Sequence, residues 1–191
     1  MLSDDELYQR YLKGDKASGD ELMLRYADSL TAYLNAFLKD IDDAEDLMLE
    51  TFTVILVDKP RIGEGCFRAY LFKIARHKAC RLWRKRVKQN EFCLSTEDMD
   101  GIDLAEEAIS ETGQPEDEFL RGELGTTVRK CLNNIAPQYR EALWLVYGTG
   151  LNYEQAAGVL GCSKKRVDNL LLNGRKTLKM ELAKEGITQN V

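Results

Sequence analysis

Apolar side chains in this chain return every three to four residues, and no alternating stretch of useful length occurs. That spacing lays them along one stripe of a helix, whereas a half-buried strand needs strict alternation. Leu7, Tyr8, Tyr11 and Leu12 make a first stripe, and Leu22, Tyr26, Leu30, Tyr33, Leu34 and Phe37 a second. Asp40 to Asp43 interrupts, and a third helix is predicted from Ala44 to Leu56. Pro60, Gly63 and Gly65 mark a loop, after which Phe67, Tyr70, Leu71, Ile74, Ala75 and Leu82 form a fourth stripe. Later, Leu120, Leu124, Val128, Cys131, Leu132 and Ile135 share one face. Pro137 restarts the chain into a helix over 139–147, Gly148 and Gly150 close it, and two more helices are predicted over 152–160 and 164–183. With only 3 prolines in 191 residues, few helix breakers stand in the way. The predicted fold class is all-α.

Two small helical domains are expected, over 1–88 and 119–191. Between them, residues 89–118 lose periodicity and hold many acids with Gly101, Gly113 and Pro115. Low hydrophobicity with high net charge cannot offset chain entropy, so this stretch reads as a flexible linker, with a short helix around Leu104–Ile109 as its one candidate element. No run of eighteen apolar residues exists, so no membrane insertion is expected. The opening MLSDDELYQRYLKGD is too charged for a secretory signal. The five cysteines (Cys66, Cys80, Cys93, Cys131, Cys162) are scattered, and His77 is the one histidine. Reduced thiols in a cytoplasm, no metal and no cofactor are the expectation.

The net charge of −5 hides a strong pattern. Residues 1–60 carry −8, 61–90 carry +9, 91–123 carry −11 and 124–191 carry +5. Two cationic blocks around an anionic one suggest two surfaces for polyanions.

The second cationic block contains NYEQAAGVLGCSKKRVDNLLLNGRKTL, residues 152–178. With Tyr153 as the first position of a helix-turn-helix, Ala157 falls where two helices touch and Gly161 at the tight turn. Ser163 can cap the next helix, and Val167 and Leu171 pack it back. Lys164, Lys165 and Arg166 then crowd the positive end of that helix, which costs stability unless an anion such as a DNA phosphate lies there. The first cationic block, FRAYLFKIARHKACRLWRKRVK, spans 67–88. Arg68, Arg76, His77, Arg81 and Arg84 are expected mostly off its apolar stripe, with Phe72 and Trp83 partly off it. Cations interleaved with aromatics suit stacking on unpaired bases. No carboxylate or nucleophile accompanies His77, so catalysis is not read there, and the chain is not expected to be an enzyme. On the third helix, Asp43, Asp46 and Glu50 share one face with Leu47, which is taken as exposed, and this reads as a protein-binding face.

With those pieces in order, the chain resembles the bacterial extracytoplasmic-function sigma factors of the sigma-70 family. DAEDLMLETF is similar to that family's DAEDLVQETF, FRAYLFKIARHKACRLWRKR to its FRAWLYRIARNLALDRLRR, and the 152–178 segment to its SYEEIAEILGISVGTVKSRLHRARKKL. The resemblance implies docking on RNA polymerase core through Asp43, Asp46, Leu47 and Glu50. It implies capture of unpaired bases of the promoter minus-ten element by the loop from Arg61 to Cys66 and the helix after it, through Arg61, Phe67, Arg68, Phe72, Arg76, His77, Arg81, Trp83 and Arg84. It implies reading of the minus-thirty-five element through Lys164, Lys165, Arg166, Asn169, Asn173, Arg175 and Lys176. An anti-sigma factor is the implied regulator, and the linker is expected to thread toward the polymerase's active-centre cleft. His77 stands where the family often has Asn, and Leu170 and Asn173 where cations are common. Leu172 adds an apolar side chain to the same segment, and Ser18 and Gly19 replace a usual aromatic. The alternative is a helix-turn-helix regulator that binds duplex DNA without polymerase.

Overall fold

Ser3 opens the first helix by a reciprocal cap: its hydroxyl accepts the Glu6 N–H while the Glu6 carboxylate accepts the Ser3 N–H. The computed structural model describes residues 2–86 and 123–187. Helix α1 runs Asp4–Leu12, α2 Lys16–Leu38, α3 Ile41–Asp58 and α4 Phe67–Arg86. Then come α5 (Glu123–Asn134), α6 (Pro137–Leu143), a π-helical turn (Trp144–Gly148), α7 (Tyr153–Leu160) and α8 (Lys164–Lys184). No strand occurs among the described residues, so the fold is all-α. The chain divides into two compact units, the first containing α1–α4 and the second α5, α6, α8 and the start of α7. The acidic stretch, with its candidate helix at Leu104–Ile109, lies outside the described residues.

In the first unit α2 is the spine. Leu22, Tyr26, Leu30, Tyr33 and Leu34 are buried at helical spacing along its 23 residues, a length of about 34 Å. Helix α3 packs against α2, and α4 against both. The Asp40–Asp43 interruption proves to be a cap, since the Asp40 carboxylate accepts the Asp43 N–H and lets α3 begin at Ile41. The step from α2 to α3 passes through Lys39, which sits at φ 58. Phe67 lies between the rings of Tyr8 and Tyr26, with centroids 5.4 and 6.0 Å away, and Phe72 meets Tyr33 edge-on at 5.3 Å. Each fully buried ring or leucine contributes on the order of 2 kcal/mol.

One carboxylate joins three of these helices. Asp4 of α1 accepts from Arg25 at 2.6 Å and from the Tyr26 hydroxyl, and Arg68 of α4 donates to that same hydroxyl at 2.9 Å. Gly19 explains the missing aromatic in α2: a Cβ there would stand 2.6 Å from the Tyr11 ring. Glycine thus admits that ring, whose hydroxyl donates to the Leu56 carbonyl at 2.6 Å.

In the second unit Arg140 is buried and donates to the carbonyls of Leu132, Asn133 and Ile135. Leu132 and Asn133 lie in the last turn of α5 and Ile135 just beyond it, where carbonyls lack intrahelical partners, so one guanidinium closes that helix. The expected helix over 139–147 starts earlier, with Pro137 at its first turn, and its last turn widens to π geometry. Helix α8 packs closely on α6 at Gly174, where a Cβ would come within 3.2 Å of Leu143 and 3.3 Å of Tyr139.

Candidate nucleic-acid interface

Helix α7 begins with a reciprocal cap: Asn152 accepts the N–H groups of Glu154 and Gln155, and Gln155 accepts that of Asn152. It ends at Gly161, which takes φ 66, a backbone state cheap for glycine alone. Ser163 then caps α8, its hydroxyl accepting the Arg166 N–H. Val167, Leu170, Leu171 and Gly174 are buried. That stripe turns Lys164, Lys165, Arg166, Asn169, Asn173, Arg175 and Lys176 outward, and all seven are exposed. Lys164 is partly offset by Glu154, 2.6 Å away. Cations at the positive end of a helix raise its energy by roughly 0.3–1 kcal/mol each, a cost that a phosphate placed there reverses. Leu170 faces the core rather than solvent, which is why no cation stands there. Leu172 is 61% exposed on the outward face.

Helix α4 corrects several expectations. Phe67, Phe72 and Arg76 are buried, at 1%, 0% and 3% exposure. Phe67 and Phe72 are core side chains held by Tyr8, Tyr26 and Tyr33, and the buried Arg76 guanidinium does not face solvent. While α4 keeps this packing, none of the three presents its side chain at the surface. Arg68 is half-buried and engaged with Tyr26 and Asp4. Arg61, His77, Arg81 and Arg84 are exposed and Trp83 is half-buried. An open groove along α4 is lined by His77, Cys80, Arg81, Arg84 and Lys85.

Helix α3 gives a second correction. Leu47 is buried at 7% exposure, because Ala44, Leu47, Thr51 and Ile55 form the stripe that faces the core. The apolar residue beside the exposed acids is Leu49, at 48%. Asp46 and Glu50 are exposed and Asp43 half-buried. Asp43 pairs with Arg86 of α4, at 2.7 Å in one of two contacts, and Glu50 pairs with Lys78 at 2.9 Å. The Asp43 carboxylate raises the Arg86 pKa.

The loop between α3 and α4 is tied down from α1. The buried Tyr8 hydroxyl donates to the Pro60 carbonyl at 2.7 Å, and burial pushes its pKa up to about 12. The Asp5 carboxylate accepts the Gly65 N–H at 2.6 Å. Neither tie was read from the sequence; each spans more than fifty residues, and no local signal marks it. Among the described residues, no cluster of three metal-ligating side chains occurs, and no helix is long and apolar enough to cross a membrane.

Residues 22–89 match the family model for Sigma-70 region 2, and residues 126–178 that for Sigma-70, region 4. The chain belongs to the sigma-70 family. This sigma factor is similar to the RNA polymerase sigma-H factor of Pseudomonas aeruginosa, 26% identical over 177 residues that cover 92% of this chain and 91% of that protein. It is 29% identical to the ECF RNA polymerase sigma factor SigE of Mycolicibacterium smegmatis over 174 residues, 90% of this chain and 65% of that one. The fold matches CnrH, solved in complex with the cytosolic domain of CnrY, with a TM-score of 0.64, 22% identity, and coverage of 95% and 97%. It also matches the sigma factor RpoE of Bartonella quintana, solved with the anti-sigma factor NepR, with a TM-score of 0.61, 27% identity, and coverage of 86% and 96%. The region 4 match contains α7, the turn and α8 as far as Leu178, and the region 2 match contains α3, the loop and α4.

Proposed function

We infer that this sigma factor is a promoter-specificity subunit of RNA polymerase that acts at initiation and supplies no bond chemistry of its own. The observation that carries this reading is α8, whose capped start presents three exposed cations above a buried stripe, within the region 4 match. In this reading residues 1–88 dock on polymerase core and engage the minus-ten element, and 119–191 read the minus-thirty-five element as duplex. The polymerase face is Asp43, Asp46 and Glu50, with Leu49 in the place expected of Leu47. The minus-ten face is the 61–66 loop with His77, Arg81, Trp83 and Arg84, and the burial of Phe67, Phe72 and Arg76 removes them from it. The minus-thirty-five face is Lys164, Lys165, Arg166, Asn169, Asn173, Arg175 and Lys176. The charge of residues 91–123 supports placing the acidic linker in a cationic channel of the polymerase. RpoE was solved with the anti-sigma factor NepR, which supports an anti-sigma partner for this chain too, and the docking proposed on RNA polymerase core carries a cytoplasmic site of action with it.

Run-off transcription with core polymerase on a promoter library tests the reading. Discrete transcripts that require this chain are expected. Tight binding to duplex DNA without core, and no dependence of transcription on the chain, would make it a stand-alone regulator.

A further inference from the structure

The loop assigned above to unpaired bases is held from behind by α1, and that hold selects its backbone. The Cys66 N–H donates to the Gly63 carbonyl at 3.1 Å, which closes a four-residue turn. Gly65, its third residue, sits at φ +70, while Glu64 is not among the described residues of positive φ. That is the signature of a type II turn. In a type I turn the Glu64–Gly65 peptide lies about half a turn away, and glycine in third place tolerates both. The choice falls to Asp5, sixty residues away in sequence, whose carboxylate accepts the Gly65 N–H at 2.6 Å. Tyr8 pins the other end of the loop at Pro60. A trans peptide is planar, so with its N–H turned toward α1 its carbonyl points the opposite way. Glu64 and Gly65 are both exposed, and the Glu64 carbonyl therefore faces outward.

We propose that Asp5 is a positioning residue for promoter reading: it locks the Glu64–Gly65 peptide so that the Glu64 carbonyl meets the edge of the unpaired base. A single acceptor fixed in space separates bases by where along that edge they carry a donor. If the peptide flips, an N–H stands there instead and the preference changes. This rests on the reading of residues 61–66 as the base-capture loop, and the experiment separates the two.

Holoenzyme assembled from the full chain and polymerase core is titrated with forked promoter DNA whose minus-ten strand is unpaired, with each of the four bases at each position. Asp5→Ala should cut the ratio between best and worst base at one position by about 3- to 10-fold, the worth of one hydrogen bond. Gly65→Ala, which strains the positive φ, should do the same, and the double variant should lose no more than either alone. Asp5→Asn keeps an acceptor oxygen and should restore the ratio, and binding to minus-thirty-five duplex should not move. A loop variant with Arg61, Ile62 and Glu64 all changed to alanine should alter preference at the same position. If that variant alters it and Asp5→Ala does not, the positioning role is overturned and the loop reading stands. Unchanged preference in the loop variant, Asp5→Ala and Gly65→Ala alike overturns both, since the alanine changes leave the Glu64 carbonyl in place and the other two variants move it. A uniform loss of binding, minus-thirty-five duplex included, with the ratio intact, overturns the positioning role by showing that Asp5 serves only folding.

Discussion

Gly19 shows how much one absent methyl can hold in place. Alanine is the better helix former by roughly 0.5–1 kcal/mol, but its Cβ would stand 2.6 Å from a tyrosine ring that is itself anchored to Leu56. Overpacking of that kind costs about 1–3 kcal/mol, so Gly19→Ala should destabilise the first unit by about 1–2 kcal/mol in denaturant unfolding. Equal or greater stability would show that Tyr11 gives way freely. At Asp5, burial pushes the carboxyl above its ordinary 3.8, further than the Gly65 N–H pulls it down, and Asp4 and Glu64 add to the rise. The folded chain therefore holds that proton more tightly than the unfolded chain. The stability this contributes is complete below 3.8 and is lost as pH climbs through the raised value. Asp5→Asn carries no such loss, so unfolding at a series of pH values should show the variant gaining on the parent above 3.8 and then levelling. A constant difference across pH would contradict this.

Helix α8 separates two positions that look alike in the sequence, Leu170 and Asn173, both standing where cations are common. Leu170 is 7% exposed and belongs to the stripe against the core. Leu170→Arg should cost about 3 kcal/mol or more in thermal unfolding, because it buries an unpaired charge. Asn173 is exposed, and Asn173→Arg should leave stability nearly unchanged while steepening the salt dependence of promoter-duplex binding by about one counterion. An equal effect of both substitutions on folding would refute the assigned faces. Most element boundaries were legible because apolar spacing of three and four residues registers one helix face directly, as along α2 and α8. What spacing leaves open is which neighbouring arc meets a partner helix. Asp43, Asp46, Leu47 and Glu50 crowd one side of α3, yet the packing of α2 and α4 takes Leu47 inward and leaves Leu49 out. The π turn at Trp144–Gly148 escaped for a related reason: an extra residue in one turn hardly disturbs a pattern read at 3.6 residues per turn. Of the candidate site, the cations of α8 were readable from their crowding at a capped start. The ties from Asp5 and Tyr8 to the loop were not, since only tertiary packing brings them together.

At the scale of the molecule, a single sign of charge does not describe this protein. Its two cationic blocks of +9 and +5 flank residues 91–123 at −11, so binding of the free chain to promoter duplex should depend steeply on salt. Changing Glu97, Asp98, Asp100, Asp103, Glu106 and Glu107 to their amides should raise that affinity, most at low ionic strength. Fluorescence anisotropy across a salt series reads the effect, and coincident curves for parent and variant would refute it. The Asp4 network carries a consequence of another kind, for descent rather than for binding. Arg25, Tyr26 and Arg68 come from two helices and depend on one carboxylate of a third. Losing one of those three leaves Asp4 still held by the others, and Arg25 also donates to Glu21 at 2.9 Å, whereas losing Asp4 takes the acceptor from all of them at once. Asp4 is therefore the position of the four with least room to vary: a descendant chain can exchange one of its partners and keep the junction, but exchanging Asp4 alone uncouples three helices.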